Sequence, residues 1–190
     1  MNLIEYQRKA RNTAIYLNIQ DTKIIYPAIG LIGECGEVAE KIKKLIRDAN
    51  YRMTPDRALA IANELGDCCW YLANICCDIN LDLNMMYQMR GASMIQHVRT
   101  LTLPQLILRM NKYATDISCA LGKWYYKFDG YLNEANRFPE IPLCLSGIIS
   151  CIEEIGHRCN FTLKEICTMN IEKLTNRQKN QTLHGEGDNR

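Results

Sequence analysis

Residues 28–40 read Ala28-Ile-Gly-Leu-Ile-Gly-Glu34-Cys-Gly-Glu37-Val-Ala-Glu40, and Glu64-Leu-Gly-Asp67-Cys-Cys-Trp70-Tyr-Leu-Ala73 answers them further along. Each stretch carries two acids spaced three apart in a helical context. That spacing puts both side chains on one helix face, about 5–6 Å apart at Cβ. Two such helices packed side by side, with axes about 8–10 Å apart, bring four carboxylates together. Four negative charges do not share a pocket without a cation, and hard oxygen donors suit Mg²⁺ or Mn²⁺.

The surroundings separate these acids from an ordinary solvated face. Leu31, Ile32 and Val38 flank the first pair, and Leu65, Trp70 and Leu72 flank the second. Gly30, Gly33 and Gly36 sit in the first helix and Gly66 in the second. A glycine inside a helix costs about 1 kcal/mol relative to alanine. The cost is expected to be tolerated for close approach of another backbone or a ligand.

The chain has 190 residues, enough for one domain with a proper core. An apolar fraction of 47% is that of a globular protein. The net charge of +2 points to no nucleic-acid and no membrane partner. No apolar run approaches the roughly 18 residues of a membrane span, and the first ten residues carry charge where a signal peptide is greasy. A cytoplasmic location is expected. The ten cysteines lack the paired spacing of a zinc site and read as small buried hydrophobes in a reducing compartment.

Helical periodicity dominates, with no strand alternation of any length. A first helix is expected over Asn2–Leu17 and a second over Lys23–Asp48. Thr54-Pro55-Asp56 combines a cap residue, a proline at the first helical position and an acid in the first turn. It opens a third helix, to Asp78. A shorter helix is expected over Leu83–Met94, and another from Thr102-Leu-Pro104 to about Tyr126. Lys127–Pro139 reads as the main loop, followed by a helix over Ile141–Arg158. Thr162-Leu-Lys-Glu165 matches a capping box and starts the last helix, to Lys179. Gln181–Arg190 reads as irregular tail.

One internal echo stands out. Asp78-Ile-Asn-Leu-Asp-Leu83-Asn-Met-Met86 is similar to Arg158-Cys-Asn-Phe-Thr-Leu163-Lys-Glu-Ile166, a register of 80 residues. The preceding helices align as well, Glu64–Ile75 with Cys144–Ile155. The expected organisation is one domain, 1–190, made of two tandem helical units, 24–95 and 103–178. Cys144 and Gly147 stand where Glu64 and Asp67 stand in the first unit. One acidic cluster per chain is therefore expected.

Gly-Leu-x-Gly-Glu-x-Gly-Glu-Val-Ala-Glu followed by Glu-Leu-Gly-Asp-x-x-Trp-Tyr-Leu-Ala resembles the MazG-like nucleoside triphosphate pyrophosphohydrolases, of the all-α NTP pyrophosphatase superfamily. The resemblance covers residues 24–76. It returns at Asn170-Ile-Glu-Lys173-Leu-Thr-Asn-Arg177, which looks like the family's Asn-x-x-Lys-Leu-x-x-Arg helix, and the tail is similar to those of phage and prophage members. It implies an all-α fold of four-helix-bundle type and hydrolysis of a (d)NTP to (d)NMP and pyrophosphate, in nucleotide-pool cleansing. It implies Mg²⁺ on Glu34, Glu37, Glu64 and Asp67, with Mn²⁺ as substitute and Glu37 or Glu34 as base. Lys41, Lys44, Lys173 and Arg177 are candidates for phosphate contacts, Asn170 for a hydrogen bond to a metal-binding carboxylate or to the nucleotide, and Trp70 for stacking on the base. The resemblance also lets Asp188 and Arg190 close over the site.

In simple family members the Asn/Lys/Arg helix directly follows the ExxD helix; here Arg90, Ser93 and His97 fill that place. The expectation is a family-type dimer folded into one polypeptide, acting as a monomer or homodimer. A dUTPase- or dCTPase-like preference, alarmone hydrolysis, or a catalytically weak nucleotide-binding regulator are the rival readings. There is no P-loop and no GxGxxG, and the three histidines form no metal or triad pattern.

Overall fold

In the computed structural model, the described residues are 1–18, 24–128, 140–180 and 182. They form eight α-helices and no strand: α1 (Leu3–Asn12), α2 (Ile25–Ala49), α3 (Pro55–Asp78), α4 (Leu83–Gln88), α5 (Ala92–Thr100), α6 (Leu103–Phe128), α7 (Glu140–Arg158) and α8 (Leu163–Lys179). A short 3₁₀ turn spans Ile15–Asn18. None of these helices is long and apolar enough to cross a membrane.

The capping signals act as the sequence implies. Thr54 accepts a hydrogen bond from the Arg57 amide, with Pro55 at the first helical position. Thr162 and Glu165 form the complete capping box. Asn2 caps α1, whose end comes at Asn12 rather than Leu17. There Thr13 turns its hydroxyl back onto the Ala10 carbonyl, 2.8 Å away. The single helix expected over Leu83–Met94 is two helices. Gly91 takes the N-cap position of α5, and the Arg90 side chain folds inward to Glu153 at 2.5 Å. Residues 127 and 128 still belong to α6; the rest of the expected loop, 129–139, lies outside the described residues, as does the tail apart from Thr182.

Four long helices make the bundle. α2 packs on α3 and α6, and α7 packs on α6 and α3. Their inward faces carry Leu31, Val38, Leu65, Leu72, Leu106, Ile117, Leu145 and Ile152, all buried. Each such side chain contributes about 1.5–3 kcal/mol through removal from water. Around the bundle, α8 and α1 lie on α3, while α4 and α5 lie on α7.

The start of α2 is clasped by the end of α3. Ile24 holds φ at 59°, costly for a β-branched residue. Its amide donates to Asp78 Oδ2 at 2.7 Å, and the same carboxylate accepts from the Tyr16 hydroxyl at 3.0 Å. Arg11 completes the clasp with an ion pair to Asp78 at 2.7 Å.

Some positions 80 residues apart share local geometry. Asn80 and Asn160 both take positive φ, 56° and 62°. Leu81 N donates to Cys76 O at 2.8 Å, and Phe161 N to Gly156 O at 2.9 Å. Gly66 lies against the Ile166 carbonyl, and Ser146 donates to the Met86 carbonyl at 2.9 Å. At the positions matching the acids, Ala114, Ile117 and Cys144 are buried apolar residues. Gly147 is covered by the Tyr113 ring, 2.4 Å from where a Cβ would stand.

Candidate active site

α2 and α3 run side by side, so their acid pairs meet. Glu34, Glu37 and Glu64 each offer a carboxylate oxygen, and these oxygens all lie within 4.8 Å of one another. Glu64 is buried, Glu34 half-buried and Glu37 exposed, so the cluster opens from the bundle toward solvent. Asp67 stands outside this triad because α8 engages it. Asn170 Nδ2 donates to Asp67 Oδ1 at 2.8 Å, and Lys173 Nζ to Oδ2 at 2.5 Å. Lys41 Nζ lies 3.1 Å from Glu64 Oε1.

Three further residues shape this arrangement: Tyr6 and Thr13, which had no signal in the sequence, and Tyr71, which stands in the quoted Trp-Tyr-Leu-Ala run. The buried Tyr6 hydroxyl donates to Asn170 Oδ1 at 2.9 Å, which turns the amide NH₂ toward Asp67. Trp70 is held by its indole N–H, which donates to Thr13 Oγ1 at 2.8 Å. Tyr71 meets Trp70 edge-on, with centroids 4.9 Å apart. Its ring presses on Gly30, where an added Cβ would lie 2.1 Å away. Gly30 and Gly66 thus serve close approach, as the sequence suggests. Gly33 and Gly36 do not: nothing among the described residues lies within 4 Å of a Cβ there.

Beside the acids is a cavity of about 110 Å³, lined by Tyr26, Trp70, Tyr71, Glu34, Asp67 and Arg177 among others. Ordinary small-molecule pockets run roughly 300–1,000 Å³, so this one suits a nucleobase-sized group. Two expected residues end up elsewhere or outside view. Lys44 is exposed and pairs with Glu40 at 3.3 Å. Asp188 and Arg190 lie outside the described residues.

The electrostatics fit a cation. Burial, reinforced by the charges of Asp67, Glu37 and Glu64, pushes the Glu34 carboxyl up to about 8. The donors are all carboxylate oxygens, the set preferred by Mg²⁺ and Mn²⁺. Nearby thiols offer no alternative, since burial raises Cys68 well above its ordinary value.

Stability should follow from this. Unfolded Glu34 gives up its proton near 4.5, but the folded chain keeps it to about 8. Between those values the folded state binds more protons, so the stability of the metal-free chain falls as pH rises through the window. A cation bound at the carboxylate reverses that loss. The Tm of the metal-free protein is expected to be lower at pH about 8 than at about 6, and the Tm gain on adding Mg²⁺ larger at the higher pH. An equal gain at both would remove Glu34 from the ion's site.

The family model for the MazG nucleotide pyrophosphohydrolase domain matches residues 27–87. That span holds the four acids and Trp70 but not the α8 residues. The Gene 37 protein of Mycobacterium phage L5 is 36% identical over 92 residues, which are 46% of this chain and 81% of that protein. No solved structure gives a significant match.

Proposed function

The chain belongs to the MazG nucleotide pyrophosphohydrolase family, and on that footing we propose that it hydrolyses a (d)NTP to the monophosphate and pyrophosphate in a nucleotide-pool role. The observation that carries this is the carboxylate triad of Glu34, Glu37 and Glu64 beside an aromatic-lined cavity. In this reading the triad holds Mg²⁺, with Mn²⁺ as substitute. When bound, the ion supplies charge neutralisation for the triphosphate and acidifies a coordinated water.

The rest falls to the chain's own groups. Glu37, the exposed member, takes the proton from the attacking water. Asn170 and Lys173 fix Asp67 in place, and Lys173 with Lys41 meets phosphate oxygens. The base enters the cavity against Trp70 and Tyr71, with Arg177 at its wall. Lys44 has no part in this scheme. A dUTP- or dCTP-type substrate is the alternative within this reading. Acids from α2 and α3 with basic partners from α8 support the idea of one chain doing a dimer's work, as monomer or homodimer. Eight of ten cysteines are buried, in keeping with a cytoplasmic setting.

Pyrophosphate release measured over a panel of (d)NTPs, with and without Mg²⁺, tests the proposal. Metal-dependent release is expected, and the fastest substrate names the base. Binding without release from any nucleotide would make the chain a regulator. Trp70→Ala should raise KM about tenfold with little change in kcat, the size of one lost base stack.

A further inference from the structure

In the first half of the chain, α1 lies across α3, α4 and α8. Polar contacts fix it. Gln7 Nε2 donates to the Leu81 carbonyl at 2.8 Å, and Gln7 Oε1 accepts from the Leu83 amide at 2.8 Å. Gln7 also reaches Cys77 Sγ at 3.5 Å, and Arg11 reaches Asn74 at 3.2 Å. Tyr6 holds Asn170, and Thr13 holds Trp70.

Shifted by the 80-residue register, these six contact positions become Ser150, Glu154, His157, Phe161, Leu163 and Arg90. All six line one groove of about 460 Å³ between α5, α7 and the start of α8. No described helix fills it. The Phe161 carbonyl and Leu163 amide, twins of the two groups that Gln7 satisfies, have no hydrogen-bond partner among the described residues. The groove has the form of a helix seat.

Charge says what fits. α1 sets Arg11 against Asp78, but the matching position is Arg158. The groove's own carboxylates are already matched: Glu153 by Arg90 at 2.5 Å and Glu154 by Arg158 at 2.8 Å. With Arg99, the arginines at the groove are three, Arg90, Arg99 and Arg158, against the two glutamates. A second copy's α1 would bring Arg11 toward Arg158, like against like.

We infer that this groove receives an amphipathic helix from a different protein, presenting a carboxamide to Phe161 and Leu163 and an acid, one turn on, to Arg158. It is a docking surface apart from the acidic cluster.

The probe is a labelled, helix-stapled peptide of residues 2–13 carrying R11E, compared with the unchanged peptide on the full-length protein by fluorescence anisotropy. The R11E peptide is expected to bind saturably and about tenfold more tightly, since one repulsion becomes one attraction. Arg158→Asp should invert that order. Ile95→Trp, which fills the groove from the half-buried face of α5, should abolish binding of both. Ile95→Trp should keep the parent's circular dichroism, Tm and metal-dependent turnover; Arg158→Asp, which breaks the Glu154 ion pair, should lower Tm while keeping the helical circular dichroism and the turnover. Absence of saturable binding, equal binding of the two peptides, or binding indifferent to Ile95→Trp would overturn the inference. So would saturation of the groove by free nucleotide with no peptide bound, which marks a small-molecule site.

Discussion

Glu37→Ala is expected to lower pyrophosphate release about a hundredfold or more, the usual loss for a group acting in proton transfer. The change leaves packing almost untouched. Glu37 is exposed on α2, between Gly36 and Val38, and the Gly36 face has nothing against it among the described residues. The stability cost should therefore be small, which is what makes the variant informative. Removing one carboxylate from the triad also lowers the local negative charge on Glu34. The concentration of Mg²⁺ needed for half-maximal rate should rise, and the pH at which Glu34 ionises should fall. The measurement is kcat and KM from pyrophosphate release across a Mg²⁺ titration, with Glu37→Asp as a partial rescue. Full activity in Glu37→Ala would sink the proposed role of the triad.

Lys173→Ala should cost about a hundredfold as well, comparable to deleting one preorganised electrostatic donor. Two effects combine. Asp67 keeps only Asn170 as its partner from α8. Glu34 loses the nearby cation that lowers its pKa, so its carboxyl should ionise above the already raised value of about 8. The later ionisation of Glu34 shows in the pH dependence of metal uptake: isothermal titration with Mn²⁺ should give an affinity that keeps rising to higher pH for Lys173→Ala than for the parent. Lys173→Arg should recover part of both readouts. If Lys173→Ala turns over substrate normally, the acids of α2 and α3 form a complete site by themselves, and the shared-site idea fails.

The acid-bearing helices were legible because their signals are local. Three-residue acid spacing, Thr54-Pro55 and the box at Thr162-Glu165 each act within one helical turn. The two polar turns before Leu83 and Leu163 are local signals of the same kind, and their asparagines, Asn80 and Asn160, both take positive φ. What escaped was long-range. Tyr6 works on Asn170 across 164 positions and Thr13 on Trp70 across 57. Nothing in α1 announces either contact. The break between α4 and α5 also escaped, because it depends on Glu153 drawing Arg90 inward from another helix. The glycines divided on the same line: the ring of Tyr71 explains Gly30, while Gly33 and Gly36 face open space.

The bonds from Asp67 to Asn170 and Lys173 span 103 and 106 positions. On a ribosome adding about 5–20 residues per second, the acids would precede their lysine by roughly 5–20 seconds. During that interval α2 and α3 can pair while Asp67 still faces water. The working site is then a late product of synthesis, completed only when α8 emerges and docks, and a chain cut short before α8 would carry the acids without the lysine that steadies Asp67.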